Sequence, residues 1–157
     1  MAELTHLDPA GTPRMVDVGD KPVTARRALA EAVLRMRPDV LTKLLAAGGP
    51  KGDALVVARL AGITAAKRTA ELIPLAHLLP IESVEMTFEP GTGTLTVRAE
   101  VRATARTGVE MEALTAAAMA ALTIYDMAKA LQRDMVIERV RLLEKDGGRS
   151  GSFRADP

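Results

Sequence analysis

Only three aromatic side chains, Phe88, Tyr125 and Phe153, occur among 157 residues, and there is no tryptophan. Without large rings to fill space, the core has to be assembled from Ala, Leu, Val, Ile and Met, so helices and strands must pack close together. Hydrophobic residues still make up 48% of the chain and charged ones 26%, the balance of a globular protein rather than a disordered one. A chain of this length buries roughly two-thirds of the surface that its unfolded form exposes, so one compact domain can fold without a disulfide or metal staple.

The same scarcity and the charge balance narrow the functions. A formal net charge of +1 provides no overall field for nucleic acid or acidic membranes, so any anion site has to be a local cluster of cations. With no cysteine, thiol nucleophiles, Cys-bound iron-sulfur clusters and Cys zinc sites are excluded. The lead Met1 to Pro13 has neither a basic start nor an apolar run, which reads as a cytoplasmic protein without a signal peptide or membrane anchor.

Hydrophobic spacing divides the chain into segments. Met15-Val16-Asp17-Val18 reads as a short strand before the Gly19-Asp20-Lys21-Pro22 turn. From Thr24 as cap, Leu29, Ala32, Val33 and Met36 follow helical spacing up to Pro38. Val40, Leu41, Leu44 and Leu45 then make a second helix ending at Gly48-Gly49, so the segment reads as an α-hairpin. A third helix starts at the cap Asp53, with Gly62 as a point of interruption and Pro74 as its bound. Beyond Pro80 the period becomes two: Val84, Met86 and Phe88, then Leu95, Val97, Ala99, Val101 and Ala103, alternate with polar residues around Pro90-Gly91-Thr92-Gly93. This is a β-hairpin with one wet face. A long helix over about Glu112 to Arg133 and a strand over Val136 to Leu143 follow.

The order α, α, α, β, β, α, β suits an antiparallel sheet with two helices on one face, a ferredoxin-like α+β fold with N-terminal helical additions. The expected organisation is a flexible lead over 1–13, a single catalytic α+β domain over 14–146 and a Gly-rich mobile tail over 147–157.

Several residues can carry chemistry. Asp126 and Lys129, three apart on the last long helix, emerge on one face and suit general acid/base work, although a surface ion pair has the same spacing. Glu110 and Glu112 share a face if the chain is extended before that helix begins, and two carboxylates can accept the N–H groups of a guanine-like ring. Favourable charge at a helix N-terminus is their other reading. Lys51 lies in a Gly-rich loop against a helix start, without Walker spacing, and reads by default as a solvated loop charge. Lys67-Arg68 and Arg26-Arg27 offer paired cations on helices for a triphosphate, or simply solvated faces. His77, in a Leu-rich loop between Pro74 and Pro80, is one of two histidines, too few for a His-built metal site within one chain. It can equally be a satisfied loop histidine.

Taken in order, MVDVGDK from Met15, Lys51-Gly52-Asp53, ARLAGI from Ala58, AAKRT from Ala65, LIPLAH from Leu72, TGVEMEALTAA from Thr107, ALTIYDMAKA from Ala121 and QRDMVIERVRLLEKDGGRSG from Gln132 resemble the molybdenum cofactor biosynthesis protein C family over nearly the whole chain. That resemblance implies a cyclic pyranopterin monophosphate synthase activity. The reaction is the conversion of 3',8-cyclo-7,8-dihydro-GTP, made by a radical SAM GTP cyclase, into cyclic pyranopterin monophosphate with release of pyrophosphate. It further implies Asp126, Lys129 and Lys51 as the acid/base centre. Substrate contacts fall on Leu75, Ala76, His77, Met111 and Glu112, with Glu110 nearby and Arg26, Lys67 and Arg68 toward the triphosphate. The family's homohexamer, a trimer of dimers, places each site at a subunit boundary. No metal site or protein-held cofactor is implied, and magnesium carried by the triphosphate can assist. The chain departs from the family at Ala76 and Leu78, where cysteine and proline are usual beside the loop histidine, and at Ala128, often cysteine.

Two other classes share parts of this pattern. Ferredoxin-like sheets bind RNA by stacking bases on strand aromatics, but Phe88 is the only aromatic in the predicted strands. A regulatory nucleotide-binding domain without catalysis would use the same cations and differs only in turnover.

Overall fold

The computed structural model describes residues 4–46 and 53–156. Its elements are β1 (Thr24–Arg35), α1 (Pro38–Leu45), α2 (Ala54–Lys67), α3 (Thr69–Leu72), β2 (Ile81–Pro90), β3 (Thr94–Ala105), α4 (Glu110–Ala128), β4 (Val136–Asp146) and β5 (Phe153–Arg154). The strands form one sheet in the order β2-β3-β1-β4-β5, with every neighbouring pair antiparallel. Apart from β5, two interleaved split β-α-β units make the ferredoxin-like α+β arrangement expected from the sequence. No helix among the described residues is long and apolar enough to cross a membrane.

The largest correction concerns residues 24–36, expected as the first arm of an α-hairpin. They form β1, which pairs with β3 from Thr24↔Ala105 to Arg35↔Thr94 and with β4 on its other edge. Apolar residues occur there at both helical and alternate spacing, so periodicity could not arbitrate. Tertiary pairing overrides alanine's helix preference: Ala28, Ala30, Ala32 and Leu34 are fully buried beneath the helices, while the opposite face is covered by charged side chains from β3 and β4. Arg26 and Arg27 therefore do not share a helix face. They point to opposite sides of the sheet, and Arg27 is held there by Glu100, Glu144 and Asp146.

Other boundaries moved less. Met15–Val18 carries no strand. α1 stops at Leu45, before the expected stop at Gly48-Gly49, which lies outside the described residues. Asp53 caps α2 as expected, accepting from the backbone N–H groups of Leu55 and Val56. α2 runs unbroken through Gly62, because that glycine serves packing rather than interruption: a β-carbon there would lie 2.4 Å from Met86 Sδ and 3.0 Å from the Ala116 carbonyl oxygen. The β2–β3 hairpin follows its predicted alternation, with Leu95, Val97, Ala99, Val101 and Ala103 turned into the core. α4 begins at Glu110 and ends at Ala128, earlier at both ends than expected, and the last main strand extends to Asp146. The C-terminal segment carries β5, which pairs Phe153 and Arg154 with Lys145 and Glu144.

α2 and α4 lie together on one face of the sheet. Ala58 and Ala66 of α2 and Ala113, Ala116, Ala117 and Ala120 of α4 belong to one buried cluster with β1 and β3. This is the close packing that the composition demanded, with Phe88 and Tyr125 only at the margin of the cluster. It holds the N-terminal end of α4 rigidly beside the loop that precedes β2.

Candidate active site

Two clefts meet at the entry to α4, sharing Thr107, Gly108 and Glu110. The first, about 520 Å³, is lined on one side by Ile73 to His77 and Leu79 and on the other by Glu110, Met111 and Glu112, with His6 at its margin. It contains the five residues that the family resemblance implies as substrate contacts, Leu75, Ala76, His77, Met111 and Glu112, together with Glu110, expected near them.

Glu110 and Glu112 do not reach this cleft from an extended segment, contrary to expectation. Both lie in the first turn of α4, where a two-residue step is about 200° of rotation. They line one cleft nonetheless, because the Glu110 carboxylate folds back over Gly108, into space that a β-carbon would occupy. Glu112 is only 3% exposed. Desolvation pushes its carboxyl up to about 7, with the negative charge of Glu110 adding to the rise against a backbone hydrogen bond that lowers it. A carboxyl poised near neutrality can hold or release a proton at working pH.

His77 is oriented by the lead segment. Its Nε2 lies 2.8 Å from the carbonyl oxygen of Val16. A carbonyl can only accept, so Nε2 carries the proton and Nδ1 of the neutral ring is left as an acceptor. The lead around it is ordered by Asp8, whose carboxylate accepts from the backbone of Ala10 and Thr12, and by the Leu7–Pro13 bridge.

The second cleft, about 500 Å³, is cationic: Lys21, Arg26, Arg106, Lys145 and Arg149 line it with Thr24, Glu110, Gly148 and Ser150. Of these cations the sequence reading singled out only Arg26. The others come from the segments before β1 (Lys21) and after β3 (Arg106), from the end of β4 (Lys145) and from the β4–β5 turn (Arg149), and the only local signal was the cationic flank of Gly147-Gly148, with Lys145 before it and Arg149 after. Lys67 and Arg68, expected to meet the same phosphates, sit exposed at the C-terminal end of α2 and line neither cleft.

Asp126 and Lys129 occupy the far end of α4. Lys129 Nζ lies 2.5 Å from Asp126 Oδ1, and both side chains are more than half exposed. About 24 Å of helix rise separates Asp126 from Glu110, so the pair does not face the clefts of its own chain. Lys51 lies outside the described residues. Phe88, the strand aromatic on which base stacking would depend, packs partly into the core with Arg59 over its ring at 5.4 Å.

Sequence comparison finds relatives of this chain along almost its full length. The protein is 57% identical over 154 residues to the cyclic pyranopterin monophosphate synthase of Chloroflexus aurantiacus strain J-10-fl, covering 97% of this chain and 94% of that one. It is 56% identical over 156 residues to the synthase of the same name in Chloroflexus aggregans, covering 98% and 94%. A third relative of that name, from Methylobacterium sp. strain 4-46, is 56% identical over 159 residues, covering 100% and 99%. The family model described as MoaC family matches residues 15–148, a span that contains both clefts except His6, Arg149 and Ser150. On this agreement the chain belongs to the MoaC family.

Proposed function

We propose that this chain is a lyase of molybdenum cofactor biosynthesis, converting 3',8-cyclo-7,8-dihydro-GTP into cyclic pyranopterin monophosphate and pyrophosphate. The observation that carries the reading is the junction of the two clefts at Glu110. A carboxylate-lined cleft suited to the N–H edge of a purine-derived ring opens directly into a cationic one suited to its phosphates. Cyclic phosphate formation needs a sugar hydroxyl to lose its proton as its oxygen bonds to the α-phosphorus, while the bond to the β-phosphate breaks and pyrophosphate leaves. Lys21, Arg26, Arg106, Lys145 and Arg149 stabilise that departing charge. Glu112 and His77 hold and exchange protons at the ring, and magnesium brought by the triphosphate can share the phosphate charge.

Asp126, Lys129 and Lys51 complete the acid/base set, with Asp126 and Lys129 meeting Lys51, His77 and Glu112 across a subunit boundary. Support for this comes from the distance within one chain: the two ends of α4 are too far apart to touch one substrate. The assembly is a homohexamer, a trimer of dimers, with sites at subunit boundaries. It acts in the cytoplasm after a radical SAM GTP cyclase supplies the cyclised intermediate.

The test supplies purified protein with that intermediate and measures pyrophosphate together with the fluorescent oxidised pterin; absence of both from the wild-type protein overturns the activity. Asp126→Ala and Lys129→Ala are expected to lose turnover by at least about a hundredfold while remaining folded. Co-expressed Asp126→Ala and Glu112→Gln chains should regain turnover that neither has alone. Failure of that complementation overturns the shared site while leaving the activity itself standing.

A further inference from the structure

Arg26 leaves β1 on the same face as Ala28, at the edge of the cationic cleft. Its Nε donates to the Ala105 carbonyl oxygen at 3.3 Å and its Nη2 to the Arg106 carbonyl oxygen at 3.0 Å. These bonds hold the guanidinium against the end of β3 and leave Nη1 outside the pair. The opposite side of the group is covered by the β4–β5 turn. A β-carbon on Gly148 would lie 2.0 Å from Arg26 Nη1 and 2.9 Å from Cζ.

We infer that Gly148 is a positioning residue: by lacking a β-carbon it lets the β4–β5 turn press on the Arg26 guanidinium and keep it aimed at the anion held in the cationic cleft. The inference rests on the reading of that cleft as the phosphate end of the site. The turn is braced without Arg26, because Gly151 N–H donates to the Gly148 carbonyl oxygen at 3.1 Å, Lys145 bonds Ser150, Arg154 pairs with Asp146 and β5 pairs with β4. The turn therefore sets the arginine, rather than the arginine the turn. Neighbouring glycines separate this role from plain backbone need. Gly147 has φ +96° and its β-carbon would strike the Ala25 carbonyl oxygen at 2.2 Å, which would lift the turn from β1. Gly151 has φ +66° with nothing within 4 Å of its β-carbon position, so substitution there brings left-handed strain and no collision. Gly148 has φ +79° and collides with the far end of a flexible side chain, which yields by moving the guanidinium while the fold stays.

The experiment measures binding of inorganic tripolyphosphate to the full chain by calorimetry, with thermal unfolding as the control for fold. Gly148→Ala is expected to weaken binding about tenfold, the scale of one charge-assisted bond. Gly151→Ala, carrying the same strain, should stay within about twofold of the wild type. In an Arg26→Ala background, Gly148→Ala should cause no further loss. Equal losses from Gly148→Ala in both backgrounds, or an equal loss from Gly151→Ala, would overturn the positioning role. An Arg26→Ala protein that binds tripolyphosphate like the wild type would instead overturn the phosphate reading on which it rests.

Discussion

Two glutamates of this protein are almost equally inaccessible, yet they are opposite in character. Glu31, on the sheet face away from the helices, is 2% exposed, and Glu112, in the cleft at the start of α4, is 3% exposed. Glu31 accepts from Arg139 at 3.0 Å and Arg141 at 2.9 Å, with Arg98 at 3.7 Å. Burial penalises its charge, but the bonds and charges of Arg141 and Arg139 outweigh that penalty and hold its carboxyl below the usual range. Among the described residues lining its cleft, Glu112 meets no lysine or arginine, only Glu110 and two histidines, and burial prevails. Burial alone therefore does not mark a working carboxylate; what decides is whether the chain supplies it with a counter-ion. Glu31 is a strut in a charged sheet face, and Glu112 is a buried carboxyl in the wall of a cleft, its proton held by desolvation.

Exchanging each group for its neutral isostere tests that contrast. Glu112→Gln should lower kcat/KM by about a hundredfold or more, in pyrophosphate release assays, with the fold retained. Wild-type kcat/KM should also change through pH about 7, a step absent from the variant. Turnover unchanged in Glu112→Gln would make the carboxyl a packing group only. Glu31→Gln should do the reverse, leaving turnover within about tenfold while costing about 1–3 kcal/mol in urea unfolding, the range for hydrogen bonds to charged groups. The lower part of that range is expected, because its arginines reach solvent and can rehydrate.

The pH dependence of stability should split along the same line. Glu112 binds its proton more tightly when folded, so its contribution is complete below pH about 4.5 and is lost as pH rises toward about 7. Glu31 binds its proton less tightly when folded, so its contribution is present above pH 4.5 and is lost as pH falls through its lowered value. Unfolding midpoints across pH 3 to 8 should be flatter on the alkaline side in Glu112→Gln and flatter on the acid side in Glu31→Gln. Identical profiles for both variants would erase the distinction.

Gly62→Ala gives the smallest effect and a control. The added methyl must displace Met86 and press on the Ala116 carbonyl, costing about 1–2 kcal/mol as overpacking while shifting α4 slightly. Turnover should fall less than tenfold. A loss as large as that of Glu112→Gln would mean that α4 placement, rather than the carboxyl, governs the reaction.

Much of this molecule was legible before any coordinates. The β2–β3 hairpin announced itself through strict alternation over Leu95 to Ala103, because a half-buried pleated surface imposes a period of two on whatever sequence forms it. The cap Asp53, the α4 helix and the two short stretches that line the first cleft, Leu75 to His77 and Glu110 to Glu112, were readable for similar reasons: local geometry or a contiguous motif carries each one. The strand β1 was not readable, since a segment rich in alanine and buried on both faces satisfies helical and extended spacing alike. Nor was the cationic cleft, whose lysines and arginines are scattered from Lys21 to Arg149 and become neighbours only when β4 lies beside β1.

By itself, then, the sequence determined the family, the close-packed aliphatic core and the residue types available for proton transfer. Only the tertiary structure decided which of those residues meet. It joined Glu110 to the cationic cleft, gave Arg27 to the sheet network while leaving Arg26 at the cleft, and left Lys67 and Arg68 outside both clefts. The physical reason is range: capping, pleating and helical periodicity act over a few residues and are written in sequence, whereas burial and counter-ion supply depend on segments brought together across the whole chain.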